Sequence, residues 1–145
     1  MRTIGANGVG RVHIELDIAN NEDLVRAKDG TLPRDKVRRM TIAGVVDPGA
    51  AMLVLPESVA KQLGLPMLKK VNARYADGRR GQRREAQAAS VKILGREGTF
   101  NAVVEPKRDT ALIGAFVLEV LDLLVDCKEQ RLVPRDPSGP IFEIE

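Results

Sequence analysis

Apolar and polar residues alternate from Val12 to Ile18, with Val12, Ile14, Leu16 and Ile18 on one side and His13, Glu15 and Asp17 on the other. A period of two is that of a half-buried strand, which puts His13 on the polar face. Asn20 and Asn21 are placed to cap a short helical turn through Glu22 to Lys28, and Asp29-Gly30 and Pro33 punctuate the excursion that follows. A second run of strand formers, Val37 to Val46, stops abruptly at Asp47-Pro48-Gly49-Ala50. Met52 to Leu55 is a short apolar strand. Pro56 then fits a first helical position, Glu57 complements the helix dipole, Val59 and Leu63 share a face, and Gly64 ends the helix in the left-handed conformation.

Pro66 to Ala73 and Gln82 to Val91 flank Tyr75-Ala76-Asp77-Gly78-Arg79, whose Asp-Gly pair predicts a protruding hairpin. Ser90 to Leu94 and Thr99 to Val104 read as further strands around a turn at Gly95 to Gly98, and Pro106 to Asp109 as a polar loop. Ala111 to Ile113 leads through Gly114 into Ala115 to Leu121, long enough for about two helical turns. Leu123 to Asp126 and Arg131 to Val133 form a hairpin around Cys127 to Gln130. The sum is a mainly β chain with two short helices, suited to a small closed or partly closed barrel. Three segments are expected: a flexible N-terminal stretch over 1–11, one folded domain over 12–134, and a linker with an apolar-acidic tail over 135–145.

Composition narrows the chemistry. A chain of 145 residues with 43% hydrophobic and 30% charged residues matches one folded domain and excludes disorder throughout. Aromatic residues are only 3%, with no Trp, so base-stacking platforms for single-stranded nucleic acid lack material. A net charge of +3 implies no polyanion by itself. Lys69, Lys70, Arg74, Arg79, Arg80, Arg83 and Arg84 crowd the predicted hairpin, and a solvated ribbon whose charges resist edge pairing is favoured over nucleic-acid binding. One cysteine, Cys127, excludes an intrachain disulfide, and with the single His13 remote in sequence no metal-ligand spacing arises. Met1 to Glu15 has no apolar signal-type core, and no run approaches the roughly 20 apolar residues of a membrane span, so a cytoplasmic location is expected. Gly5-Ala6-Asn7-Gly8-Val9-Gly10-Arg11 has the composition of a phosphate loop, but it neither follows a strand nor opens a helix.

The informative constellation is Val45-Val46-Asp47-Pro48-Gly49-Ala50, followed much later by Leu112-Ile113-Gly114-Ala115 and a helix. An acid placed after two buried apolar residues and before a glycine turn is expensive unless paired or used, although Asp is also an ordinary turn residue. In this order of elements the chain resembles the single-domain, retroviral-type (retropepsin-like) aspartic proteases, particularly their bacterial relatives. The likeness runs from about Val12 to Pro134: hydrophobic pair, Asp, small-residue turn, strand and short helix; then a flap hairpin; then hydrophobic pair, Gly and helix.

The resemblance implies a closed, barrel-like acid protease fold. Asp47 is implied as the catalytic carboxylate, with Pro48, Gly49 and Ala50 forming the active-site turn. Tyr75, Ala76, Asp77, Gly78 and Arg79 are implied as a flap over a peptide or protein substrate. Each chain carries one such aspartate, so a homodimer is implied to assemble the pair, with no metal, no cofactor and no membrane. The chain departs from the family pattern at Pro48, where Thr or Ser is usual. That residue's hydroxyl and amide are implied to cross-link the two turns, and proline has neither. At about 0.5–1.5 kcal/mol for each lost bond, the departure keeps a second reading open: a weak or silent relative serving as a peptide-binding or dimerisation module.

Overall fold

The computed structural model describes residues 11–145. The glycine-rich stretch from Gly5 to Gly10 and the N-terminal segment expected to be flexible lie outside the described residues, apart from Arg11. Nine strands are described: β1 (Val12–Asn20), β2 (Arg39–Val46), β3 (Leu53–Pro56), β4 (Met67–Arg74), β5 (Arg80–Ile93), β6 (Arg96–Glu105), β7 (Ala111–Ile113), β8 (Leu123–Asp126) and β9 (Arg131–Pro134). Three helices join them: α1 (Asn21–Lys28), α2 (Glu57–Gln62) and α3 (Ala115–Leu121). Six strands pair in the order β1-β2-β7-β3-β6-β5, and β5 pairs back with β1, so the sheet closes into a barrel. β4 is added outside the ring, on β5. This is the mainly β, closed barrel expected from the residue pattern.

The alternation in β1 does what period two requires. Val12, Leu16 and Ile18 are buried while His13, Glu15 and Asp17 face solvent. Leu53, Leu55, Val91, Ile93, Ala102, Val104, Ala111 and Ile113 complete the barrel interior, and Val59, Leu63, Val117 and Leu121 close it from α2 and α3. Phe100 is the single aromatic ring among these buried residues, so aliphatic side chains do most of the packing.

Several elements differ from the sequence expectation. Asn21 to Lys28 is a full two-turn helix, making three short helices where two were expected. Its apolar periodicity is weak, and its ends stabilise it: Asn20 Oδ1 accepts from Asp23 N at 3.0 Å, acids occupy the first turn and Arg26 and Lys28 the last. Gln82–Val91 and Ser90–Leu94 are not separate strands. β5 runs unbroken for 14 residues, with a register shift between Ala86 and Ala89 where Ala88 takes φ +66°. The next turn is tighter than Gly95 to Gly98, because Leu94 (φ +52°) and Gly95 (φ +78°) alone connect Ile93 to Arg96. The stretch 135–141 is tied to the domain. Arg135 Nε donates to Asp122 Oδ1 at 2.6 Å, Ile141 N donates to Asp122 Oδ2 at 3.1 Å, and the buried Arg96 guanidinium donates to the carbonyls of Leu121, Asp122 and Asp136.

One polar cluster joins α1, α2 and the entry to β2. Fully buried Asn20 donates to the carbonyls of Leu63 (2.9 Å) and Gly64 (3.3 Å). Asp23 accepts from Arg38 three times: backbone N (3.0 Å), Nε (2.8 Å) and Nη2 (3.0 Å). Gly64 has φ +61°, so the backbone favours glycine there, and a Cβ would push the Arg38 guanidinium from its place beside Asp23. The Arg38 guanidinium bonded to Asp23 holds its carboxyl below the usual carboxylate range, against the opposing effect of burial. A folded-state value below the unfolded one contributes stability above about pH 4 that is lost as pH falls through the folded value. Asp23→Asn should therefore lower stability at pH 7 by about 2 kcal/mol, with the gap to the native protein closing under acid. Urea unfolding at pH 7 and pH 3 checks this; an equal gap at both would contradict it.

Candidate active site

β2 and β7 run parallel, pairing Val45 with Leu112 and Val46 with Ile113. Asp47 is the first residue beyond that pair, and its N–H still donates to the Ile113 carbonyl at 3.0 Å. The chain then turns at once: Ala50 N donates to Asp47 O at 3.0 Å, which closes a β-turn with Pro48 in its second position. Proline's fixed φ suits that position, and the turn's hydrogen bonds use the amides of Gly49 and Ala50. Gly49 N donates to Asp47 Oδ1 at 2.9 Å, and a Cβ on Gly49 would sit 3.1 Å from the same oxygen. Asp47 itself is half-buried.

The turn is locked to α3 from the other side. Helix amino ends leave N–H groups unpaired, and Gly114 offers no capping side chain. The carbonyls of Ala50 and Ala51 take that role, accepting from Ala115 N (2.8 Å) and Phe116 N (3.0 Å). Such an approach leaves no room at Gly114, where a Cβ would fall 2.4 Å from Met52 O and 2.8 Å from Ala50 O. The requirement is steric, since Gly114 is extended at φ −86°.

Asp47 opens onto a cleft of about 560 Å³ whose lining includes Gly49, Ala50, Val54, Val103 and Leu112 on one side, with Ala73 to Ala76 from the hairpin on the other. Of the residues expected to form the flap, Tyr75 and Ala76 line the cleft. Asp77, Gly78 and Arg79 form the hairpin tip and do not. Gly78 N donates to Tyr75 O, Asp77 Oδ1 accepts from Arg79 N, and Gly78 takes φ +90°. Bonding from the Arg79 backbone and guanidinium holds the Asp77 carboxyl low. Of the expected turn residues, Gly49 and Ala50 face the cleft with Asp47, and Pro48 does not line it.

Glu105 and Arg108 also line the cleft, and sequence reasoning did not single them out. Tyr75 Oη donates to Glu105 Oε2, and Arg83 Nε pairs with Glu105 Oε1 at 2.9 Å. The Arg79 and Arg83 guanidinium groups lie 5.3 and 5.6 Å from the Tyr75 ring centre. Burial raises the Tyr75 hydroxyl above its ordinary value, and the Glu105 bond adds to the rise. These partners are 30 and 22 residues apart, so no local signal could have joined them.

Among the described residues no three His, Cys, Asp or Glu side chains gather as a metal site, and no helix is long and apolar enough to cross a membrane. His13 is exposed on β1, and Cys127 is half-buried in the β8–β9 turn.

Two substitutions probe the assembly. Gly114→Ala should destabilise the fold by several kcal/mol, on the order of an overpacked core position or more, because backbone rather than side chain must move. Thermal unfolding within about 2 °C of the native protein would contradict this. Tyr75→Phe should cost about 1 kcal/mol and speed amide exchange at Ala76 to Gly78, while exchange in β1 stays unchanged at pH 7.

Residues 36–119 match the sequence profile of a family described as "gag-polyprotein putative aspartyl protease". No curated protein sequence matches the chain at a significant level. Among solved structures, a foamy viral protease-reverse transcriptase in complex with RNA/DNA hybrid is similar, with a TM-score of 0.50 and 13% identity over 75% of this chain and 12% of that one. The protease of simian foamy virus (mac) gives a TM-score of 0.46 and 17% identity, covering 73% of this chain and 90% of that one. The EIAV protease in complex with an inhibitor gives 0.47 and 16%, covering 55% and 75%. With more than half of its residues inside the matched profile, and with the Asp47 turn, the Asp77-Gly78 hairpin and the Gly114 helix start all within that span, the chain belongs to the gag-polyprotein aspartyl protease family, whose fold is retropepsin-like.

Proposed function

We propose that the protein is a cytoplasmic, bacterial-type aspartic endopeptidase whose homodimer uses Asp47 from both chains to hydrolyse peptide bonds. The observation that carries this reading is Asp47 itself, a carboxylate fixed by backbone bonds at the end of β2 and facing a cleft under a hairpin. The other carboxylate lining the cleft, Glu105, is engaged by Tyr75 and Arg83. A second acid must therefore come from a second chain. Phe116, which bonds to the Asp47 turn through its backbone, is 56% exposed and supplies an apolar surface beside that turn for a second copy to cover.

The chemistry follows from placing two such carboxylates together. At roughly 3 Å, two unit charges repel by about 5 kcal/mol at an effective dielectric of 20, equivalent to about four pKa units. The pair therefore shares one proton over an acidic range. One carboxylate takes a proton from water, and the proton held by the other polarises the peptide carbonyl. The attack yields a tetrahedral gem-diol intermediate that collapses with protonation of the leaving amine. The hairpin tip would lie over the extended peptide and offer backbone groups to it, as an added strand does.

Pro48 specifically favours the second reading, a peptide-binding or dimerisation module with weak or no hydrolysis. The two readings separate in one set of assays. Native protein should cleave unstructured peptides at acidic pH, Asp47→Asn should lose at least about a thousandfold in kcat/KM, and Pro48→Thr should raise activity and tighten dimerisation. Sedimentation at assay concentration reports the dimer. Cleavage surviving Asp47→Asn would end the proposed mechanism. An inactive native protein whose Pro48→Thr variant cleaves would establish the silent module.

A further inference from the structure

Three of the cations around the cleft and hairpin have an acidic partner among the described residues. Lys69 Nζ lies 3.9 Å from Glu85, Arg79 pairs with Asp77 at 2.7 Å, and Arg83 pairs with Glu105 at 2.9 Å. Two that line the cleft with Asp47 do not: Arg74 at the end of β4 and Arg108 in the loop before β7. Arg108 is half-buried, and among the described residues its guanidinium donates only to Thr110, through Nε to the carbonyl at 2.7 Å and Nη2 to Oγ1 at 3.4 Å. A half-buried guanidinium without an acid has free N–H groups in a fork that matches a carboxylate.

The hairpin supplies a second, independent observation. Arg74 stands directly opposite Arg80 across the β4–β5 ladder, and Lys70 opposite Arg84, with no acidic partner for any of the four among the described residues. Like charges facing each other across strands destabilise the ribbon, and of these four Arg74 alone lines the cleft, where a bound anion would offset its share of that repulsion. Because Glu105 is neutralised by Arg83, the cleft presents an acidic side chain with two unpaired cations against the single charge of Asp47.

We propose that the cleft selects extended peptides bearing an acidic side chain, whose carboxylate is held by Arg108 and Arg74. This rests on the peptide-cleft reading above and adds the substrate class to it. Both arginines are binding residues in this scheme, and neither takes part in proton transfer.

The test uses the full chain carrying Asp47→Asn and a set of labelled, end-capped octapeptides with an Ala-Leu background. A single Glu, Gln or Lys is moved through every position, and binding is followed by fluorescence polarisation at pH 7. At one or two positions Glu should bind at least about tenfold tighter than Gln. Arg108→Gln and Arg74→Gln should each shrink that ratio, and the charge reversal Arg108→Glu should turn the preference toward Lys. Equal binding of Glu and Gln peptides at every position, or a preference that survives Arg74→Gln and Arg108→Gln together, overturns the proposal. Cleavage of the same peptides by native protein separates the two ideas. Hydrolysis without Glu discrimination removes the acidic selection and leaves the peptidase; Glu-selective binding without hydrolysis does the reverse; neither binding nor hydrolysis removes both.

Discussion

The site depends on a backbone contact: the carbonyls of Ala50 and Ala51 cap the amino end of α3 across a glycine too close to carry a side chain. Three separate segments meet there. β2 delivers Asp47, β7 receives its N–H through the Ile113 carbonyl, and α3 takes the two carbonyls of the turn. Each bond satisfies a main-chain group that would otherwise be an uncompensated cost at the edge of a packed barrel. Asp47 is thus positioned by the sheet and helix, and its carboxylate needs only the Gly49 amide to fix its direction. Replacing Thr or Ser with proline leaves this frame intact, because the turn draws its donors from Gly49 and Ala50. What proline lacks is the amide N–H and the hydroxyl that Thr or Ser would carry.

The hairpin is held on a different principle. Its stem is tied to the barrel wall by the Tyr75, Glu105 and Arg83 network, in which a part-buried carboxylate receives a phenol and a guanidinium at once. Networks of this kind strengthen where water is scarce, and here the network stops the stem rather than the tip. The tip, from Ala76 to Arg79, keeps its own Asp77–Arg79 bonds and the left-handed Gly78. The tie to the barrel wall thus ends at Tyr75, and among the described residues the hydrogen bonds of the tip beyond it lie within the hairpin. On the same wall, Glu85 Oε1 is buried without a hydrogen bond, 3.9 Å from Lys69 Nζ. The β4–β5 stem tolerates this because an ion pair, though loose, still compensates the charge.

What the residue pattern revealed was what period and turn chemistry can encode. Alternation placed β1, the Asp-Gly pair placed the hairpin, and Gly64 was identified as a left-handed helix end because only backbone freedom was at issue. Asp47 stood out because a charge at the end of a buried run has a cost. Leu94 and Ala88 were illegible for the opposite reason: each takes positive φ without being Gly or Asn, since the surrounding ladder outweighs a local preference. α1 read as a mere turn because its apolar face is thin and capping carries it. Glu105 and Arg108 gave no sign, since a strand-end acid and a loop arginine are ordinary until folding brings β3, β4, β6 and β7 around one cleft.

The electrostatics of that cleft decide how many chains the proposed chemistry needs. A single fold contributes two carboxylates to it, and an intramolecular pair would at first sight be available from Asp47 and Glu105. Glu105 is unsuited to that part. Both of its oxygens are already engaged, Oε1 by the Arg83 guanidinium at 2.9 Å and Oε2 by the Tyr75 hydroxyl. Proton sharing requires two acids whose mutual repulsion is not already cancelled by a cation. Asp47 has no ion-pair partner among the described residues, so the acid that shares with it must be equally free of cations. Under the proposed mechanism, a second Asp47 brought up by twofold symmetry meets that condition.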